Sequence, residues 1–198
     1  MNSPLFEITQ KSRSIITPSI QRSLVVLGLM FIAIVAMIVP VFAQNNTNPS
    51  GFELPRFVSV RSDTTNVRVG PGTQYDVAWV FVKSDLPVEI VQEFDTWRKI
   101  RDLDGSEGWV HKSLLTGRRM AYVAPWNAEA KIPLRARDQS ESRVRAWLTS
   151  NYLVRVEKCD GTYCAVNLTN SGETGRSNYS GFVEQSILWG VYPNESFN

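Results

Sequence analysis

The sequence predicts an all-β protein made of two small β-barrels in tandem. Three observations carry that expectation. The chain repeats itself: Gly108-Trp109-Val110-His111-Lys112-Ser113-Leu114-Leu115-Thr116-Gly117 returns, without a gap, as Gly181-Phe182-Val183-Glu184-Gln185-Ser186-Ile187-Leu188-Trp189-Gly190. An internal repeat of this order and spacing points to two copies of one supersecondary unit. Short apolar runs alternate in the strand period, as in Phe57-Val58-Ser59-Val60. Turn signals punctuate those runs at Gly70-Pro71-Gly72, Ser84-Asp85, Asp95-Thr96 and Asp104-Gly105.

Residues 1–43 stand apart from the predicted fold. A polar start carrying Lys11, Arg13 and Arg22 precedes an uncharged run, Leu24–Ala43. Val41 and Ala43 satisfy a small-residue cleavage rule, which predicts a signal peptide cut between Ala43 and Gln44. The run is also about long enough, ~20 residues, to span a bilayer, so an uncleaved anchor remains the alternative. Either way residues 44–198 are expected outside the cytoplasm, in the periplasm or cell envelope, with membrane contact only through residues 24–43 if these are kept. Residues 44–55, rich in Asn, Pro, Gly and Ser, read as a flexible linker.

The first unit is expected over residues 56–118. One long strand carries Val88, Ile90 and Phe94, and two more follow at Trp97–Arg101 and Gly108–Lys112. The second unit, 119–195, has strand-like runs at Arg143–Thr149, Leu153–Cys159, Tyr163–Leu168 and Gly181–Gln185. Leu86–Val91 matches Tyr152–Glu157 at an offset of 66, whereas the closing motif matches at 73. Seven extra residues are therefore expected in the loop within Asn167–Ser180. Asp138–Leu148 has a helix-compatible composition but reads as loop and strand, because it aligns with Tyr75–Val82.

Cys159 and Cys164 flank a tight turn centred on Gly161-Thr162, which would oppose them across a hairpin. Opposed Cβ atoms lie roughly 4.5–5.5 Å apart, close to disulfide range. An exported chain favours a structural disulfide there. A redox pair would want Cys-x-x-Cys at a helix start, and a metal site would need more ligands than two cysteines and His111. No metal and no cofactor is expected.

Val67-Arg68-Val69-Gly70-Pro71-Gly72-Thr73-Gln74-Tyr75 resembles the opening of bacterial SH3 domains. Trp97-Arg98-Lys99-Ile100, Asp104-Gly105 and Gly108-Trp109-Val110 continue that family's pattern in order. The second copy is similar to the divergent partner in exported two-repeat members of alphaproteobacterial type, through Cys159–Cys164 and Ile187–Glu195. It has Arg137-Asp138-Gln139 where the Gly-Pro-Gly turn would be. The resemblance implies two SH3-like barrels that recognise cell-wall peptide, glycan or another envelope partner.

The chemistry of the residues agrees with recognition rather than turnover. The chain has one histidine, and its acidic residues Asp63, Asp76, Asp85, Asp95, Asp104 and Asp160 sit at turns, where they bond nearby backbone. No catalytic set is apparent, and the protein is expected not to be an enzyme. Without residues 1–43 the basic residues fall from 21 to 18 and the acidic from 19 to 18, so nucleic-acid binding, which needs a clustered positive surface, is not expected. If Ile100 and Val110 point inward, Trp97 and Trp109 lie on the opposite parity. With Tyr75 from the turn built on Gly70, Pro71 and Gly72, they form the candidate ligand-binding set. Two roles stay open for these aromatics: binding a ligand or packing the two copies together. A structural or assembly factor that binds only a protein partner is the alternative function.

Overall fold

The computed structural model describes residues 48–168 and 179–198. The expected export segment with its Ala43–Gln44 junction, and most of the expected long loop, lie outside the described residues. The first sheet comprises β1 (Arg56–Val60), β2 (Thr65–Arg68), β3 (Val77–Phe81), β4 (Pro87–Phe94), β5 (Trp97–Arg101), β6 (Glu107–His111) and β7 (Leu115–Thr116). The second comprises β8 (Met120–Val123), β9 (Lys131–Arg135), β10 (Val144–Thr149), β11 (Leu153–Asp160), β12 (Tyr163–Leu168), β13 (Ser180–Glu184), β14 (Leu188–Trp189) and β15 (Ser196–Phe197). The Asp138–Leu148 stretch is loop followed by strand, with no helix.

The two sheets follow one plan. Their orders, β3-β2-β6-β5-β4-β1-β7 and β10-β9-β13-β12-β11-β8-β14, agree position for position, with β15 added beside β11. All pairs are antiparallel. A bulge between Ile90 and Gln92 in β4 recurs 66 residues later between Val156 and Lys158 in β11. Bulges bend a strand and sharpen its twist, and so help each sheet to curl around its own core. The sheets do not close as the expected barrels would: hydrogen bonding stops at β3 and β7, and at β10 and β14. The closing strands β7 and β14 are only two residues long, each set off by a 3-10 turn (Lys112–Leu114 and Gln185–Ile187). Each therefore reaches one neighbour alone.

Strand parity builds the cores. Val58, Val60, Val67, Val88, Ile90, Ile100, Val110 and Leu115 fill the first. Leu134, Leu148, Val154, Val156, Val166, Val183 and Leu188, with both cysteines, anchor the second. Each such aliphatic side chain contributes about 1.5–3 kcal/mol on burial. Cys159 and Cys164 are direct cross-strand partners and are disulfide-bonded, as expected from their turn. The turn itself uses Gly161 at φ 98°, where a side chain would be strained. Asp160 caps it by accepting from Thr162 N at 2.8 Å and Tyr163 N at 2.7 Å. Those two backbone bonds, Tyr163's first, hold its carboxyl below the usual aspartate range. In the first unit the turn between β5 and β6 is capped by Asp102, not Asp104, accepting from Asp104 N and Ser106 N. Asp63 instead ties two loops together through Ser84.

The contact between the two units uses aromatics other than the expected ones. Phe57 of β1 is buried between Trp189 (centroids 5.3 Å, edge-on) and Tyr192 (4.8 Å). Tyr192 OH donates to Glu89 Oε1 at 2.8 Å. Burial, reinforced by that bond, pushes the Tyr192 phenol well above its ordinary pKa. Ser59 Oγ donates to Arg118 O at 2.7 Å, and Arg118 pairs with Asp85. Arg119 then grips the C-terminal turn, donating through both Nη atoms to Glu195 at 2.8 Å and lying over the Phe197 ring.

Candidate recognition surface

Trp97 and Trp109 lie on the outer side of the first sheet, and Tyr75 lies in the loop between β2 and β3. Ile100 and Val110 are fully buried, and Trp97 and Trp109, on the opposite parity, are half-buried. Cross-strand register orders this face. Trp97 pairs with His111, their rings 5.5 Å apart and edge-on. One pair further along, Trp109 is flanked by Lys99 of β5 and Arg68 of β2. Arg68 Nη1 donates to Tyr75 O at 2.6 Å, which ties the Gly-Pro-Gly hairpin to the Trp109 row. The Tyr75 ring covers Gly70 so closely that a Cβ there would fall 2.5 Å from it. Gly70 is thus required by close approach of a ring rather than by a left-handed backbone. Tyr75 remains 41% exposed, with Val69 and Val77 exposed near it along the hairpin. None of the three candidate aromatics takes part in the aromatic contacts between the units.

The same face carries an ionic ladder. Lys99 Nζ lies 2.6 Å from Glu107 Oε2, Arg101 Nη2 lies 2.8 Å from Glu107 Oε1, and Arg101 Nη1 reaches Glu89 Oε2 at 3.0 Å. The Lys99 bond, with Arg101's, holds the Glu107 carboxyl below its ordinary pKa. His111 faces Ser113. Its Nδ1 lies 2.7 Å from Ser113 Oγ and accepts from Ser113 N, capping the 3-10 turn. The pattern His-x-Ser at a strand end was legible in the sequence, but its capping role needs the turn to be seen.

A second feature was missed by sequence reasoning. Residues 48–55, read as flexible linker, pack onto the first unit. Ser50 donates to Glu93 through N at 2.9 Å and Oγ at 2.7 Å, Arg56 also donates to Glu93, and Arg98 Nε lies 3.1 Å away. Burial acts to raise the Glu93 carboxyl, but the bonds from Ser50 and Arg56 outweigh it and hold it low. Beside this cluster opens a cleft of about 390 Å³ with Phe57, Val58, Ile90 and Leu115 on its apolar wall and Arg56, Lys112 and Arg119 among its polar lining. Alternation from Val88 and Ile90 would point Glu93 outward; the bulge between Ile90 and Gln92 turns it inward, so the sequence pattern did not signal it.

The first unit is an all-β, antiparallel, SH3-like sheet with an outward aromatic face. Residues 61–117 match the family model described as "Bacterial SH3 domain", which supports placing this unit in that family. A search of curated proteins finds no match. Among solved structures, NlpC2 of Trichomonas vaginalis is 13% identical with a TM-score of 0.28, over 70% of this chain and 49% of that one. NlpC1 of the same organism is 14% identical with a TM-score of 0.28, over 69% and 46%. The chain spans about half the length of these two proteins.

Proposed function

We propose that residues 44–198 form an exported, non-catalytic recognition protein whose first unit binds cell-wall peptide or glycan. On this reading the chain is a duplicated bacterial SH3 module, delivered to the periplasm or envelope by residues 1–43. The observation that carries it is the outer row Arg68–Trp109–Lys99, with Trp97 and His111 beside it and the Tyr75 loop tied to Arg68, none of whose rings enters the ring contacts between the units. Aromatic faces flanked by donors suit extended peptides and sugars, because rings supply stacking area and Arg and Lys supply hydrogen bonds. The bacterial SH3 match over residues 61–117 supports the same reading.

A peptidoglycan pull-down with the full chain tests it. The expected result is retention that Trp109→Ala weakens. No retention, together with capture of one envelope protein, would favour the assembly-factor alternative. Intact-mass analysis of the envelope fraction tests export: a mature chain starting at Gln44 is expected, and a full-length mass would assign residues 24–43 as an anchor.

A further inference from the structure

The second unit carries on its corresponding hairpin something the first lacks. The equivalence runs at an offset of 67: Arg68 pairs across to Trp109 and Val77, and Arg135 pairs across to Phe182 and Val144. Arg68 Nη1 bonds Tyr75 O, and Arg135 Nη1 bonds Ser142 O at 3.1 Å. Carried along this offset, Gly70, Asp76 and Ala78 become Arg137, Arg143 and Arg145. The first hairpin, 68–78, holds one arginine and one aspartate. The second, 135–145, holds four arginines against Asp138 and Glu141. A neutral aromatic hairpin has become a cationic one on the same backbone plan.

Two of the four guanidiniums, those of Arg135 and Arg145, are held by backbone carbonyls, and Arg137 and Arg143 stand exposed beside them. Arg145 Nη1 donates to Ser180 O at 2.8 Å, and the Arg137 backbone is tied to Ser142 Oγ at 2.9 Å. Among the described residues none of the four forms an ion pair, and Arg135 Nε is buried without a partner. Two adjoining hollows share Arg143 and Arg145. One, of about 510 Å³, adds Arg137, with Glu141 as its carboxylate; the other, of about 350 Å³, adds Tyr179. Like charges gathered around one hollow repel, and a bound anion relieves that repulsion. The planar guanidinium fork matches phosphate oxygens two at a time.

We propose that this arginine hairpin of the second unit is a phosphate-binding site, taking the phosphate of a lipid headgroup or of a soluble phosphorylated molecule. It is independent of the aromatic face of the first unit.

The test uses the full chain in neutral detergent on phosphocellulose, after the disulfide has been shown intact in each variant. The unaltered protein should be retained, and Arg137→Ala with Arg143→Ala should weaken retention at least about tenfold, as expected for the loss of two charge-assisted contacts. Arg61→Ala with Lys83→Ala removes the same charge from the first unit and should change retention little. Equal losses in the two pairs, or none in the arginine pair, would overturn the proposal. Competition then identifies the source. Release by micelles doped with phosphatidylglycerol, but not by inorganic phosphate, assigns a headgroup; release by inorganic phosphate assigns a soluble phosphate. Release by neither would also overturn it.

Discussion

The two units share one strand order but hold themselves together differently. The first encloses an eight-residue core, against thirteen buried residues in the second, and supplements it with a buried carboxylate, Glu93, bound by Ser50, Arg56 and Arg98. The second relies on the larger core and a disulfide. Units of roughly 60–80 residues bury a modest share of their surface, so each needs such a supplement. The fold thus tolerates exchange of its fasteners, whereas the parity of the core strands stays constant. The exposed hairpins diverge furthest, which is where recognition would be tuned.

The sharpest way to break the comparison is to remove the ionic fastener. Glu93→Ala leaves Arg98, itself 5% exposed, buried beside Arg56 without its anion. Loss of one partner of a buried pair costs about 3–5 kcal/mol, so urea melts should show the first unit unfolding first. The same carboxylate gives a pH signature. Its folded pKa lies below the unfolded value, near ~4.3, so its contribution is complete above that pH and lost as pH falls through the folded value. Glu195, which burial would raise but Arg119 holds low, behaves in the same way in the second unit. Acid titration of Glu93→Gln should therefore be flatter than that of the unaltered protein.

Phe57→Ala comes next. It empties the space between Trp189 and Tyr192 and should cost about 3 kcal/mol, the lower end for a buried phenylalanine. It should also split one melting transition into two, because Phe57 lies at the centre of the inter-unit contact. Reducing the Cys159–Cys164 bridge should weaken the second unit by ~2–3 kcal/mol and spare the first, as read by separate tryptophan and near-ultraviolet probes. Tyr192→Phe is milder. It removes one bond to Glu89 and should cost about 1 kcal/mol, with an excess in a double-mutant cycle with Glu89→Gln.

Much of this was legible in the sequence. The bounds of β5 and β12 follow their apolar alternation, and the turn around Gly161 places Cys159 opposite Cys164. The offset of 66 reappears in the equivalent bulges of β4 and β11. What was not legible depends on contacts between distant segments. Composition marks residues 48–55 as linker, but composition does not contain Glu93, 43 residues away from Ser50. The inter-unit contact escaped notice because Phe57 and Tyr192 lie near opposite ends of the folded region. Whether the sheets close was not legible either, because it depends on which edges meet in space; pairing stops at β3 and β7 and at β10 and β14. The arginine hairpin was hidden by counting charge over the whole of residues 44–198, which averages a cationic loop with acidic ones.

On the reading proposed above, the outer aromatic face of the first unit binds a wall ligand and does not serve the fold. Trp109→Ala tests it most directly, because Trp109 sits mid-strand between Arg68 and Lys99 with its ring on the outer side. Binding to purified peptidoglycan fragments, measured by calorimetry beside a urea melt of the same sample, should fall roughly tenfold, ~1.4 kcal/mol. The melt should move least among all these variants. If the first unit instead unfolds, or melts far earlier with no separable loss of binding, Trp109 is a packing residue and the account is contradicted.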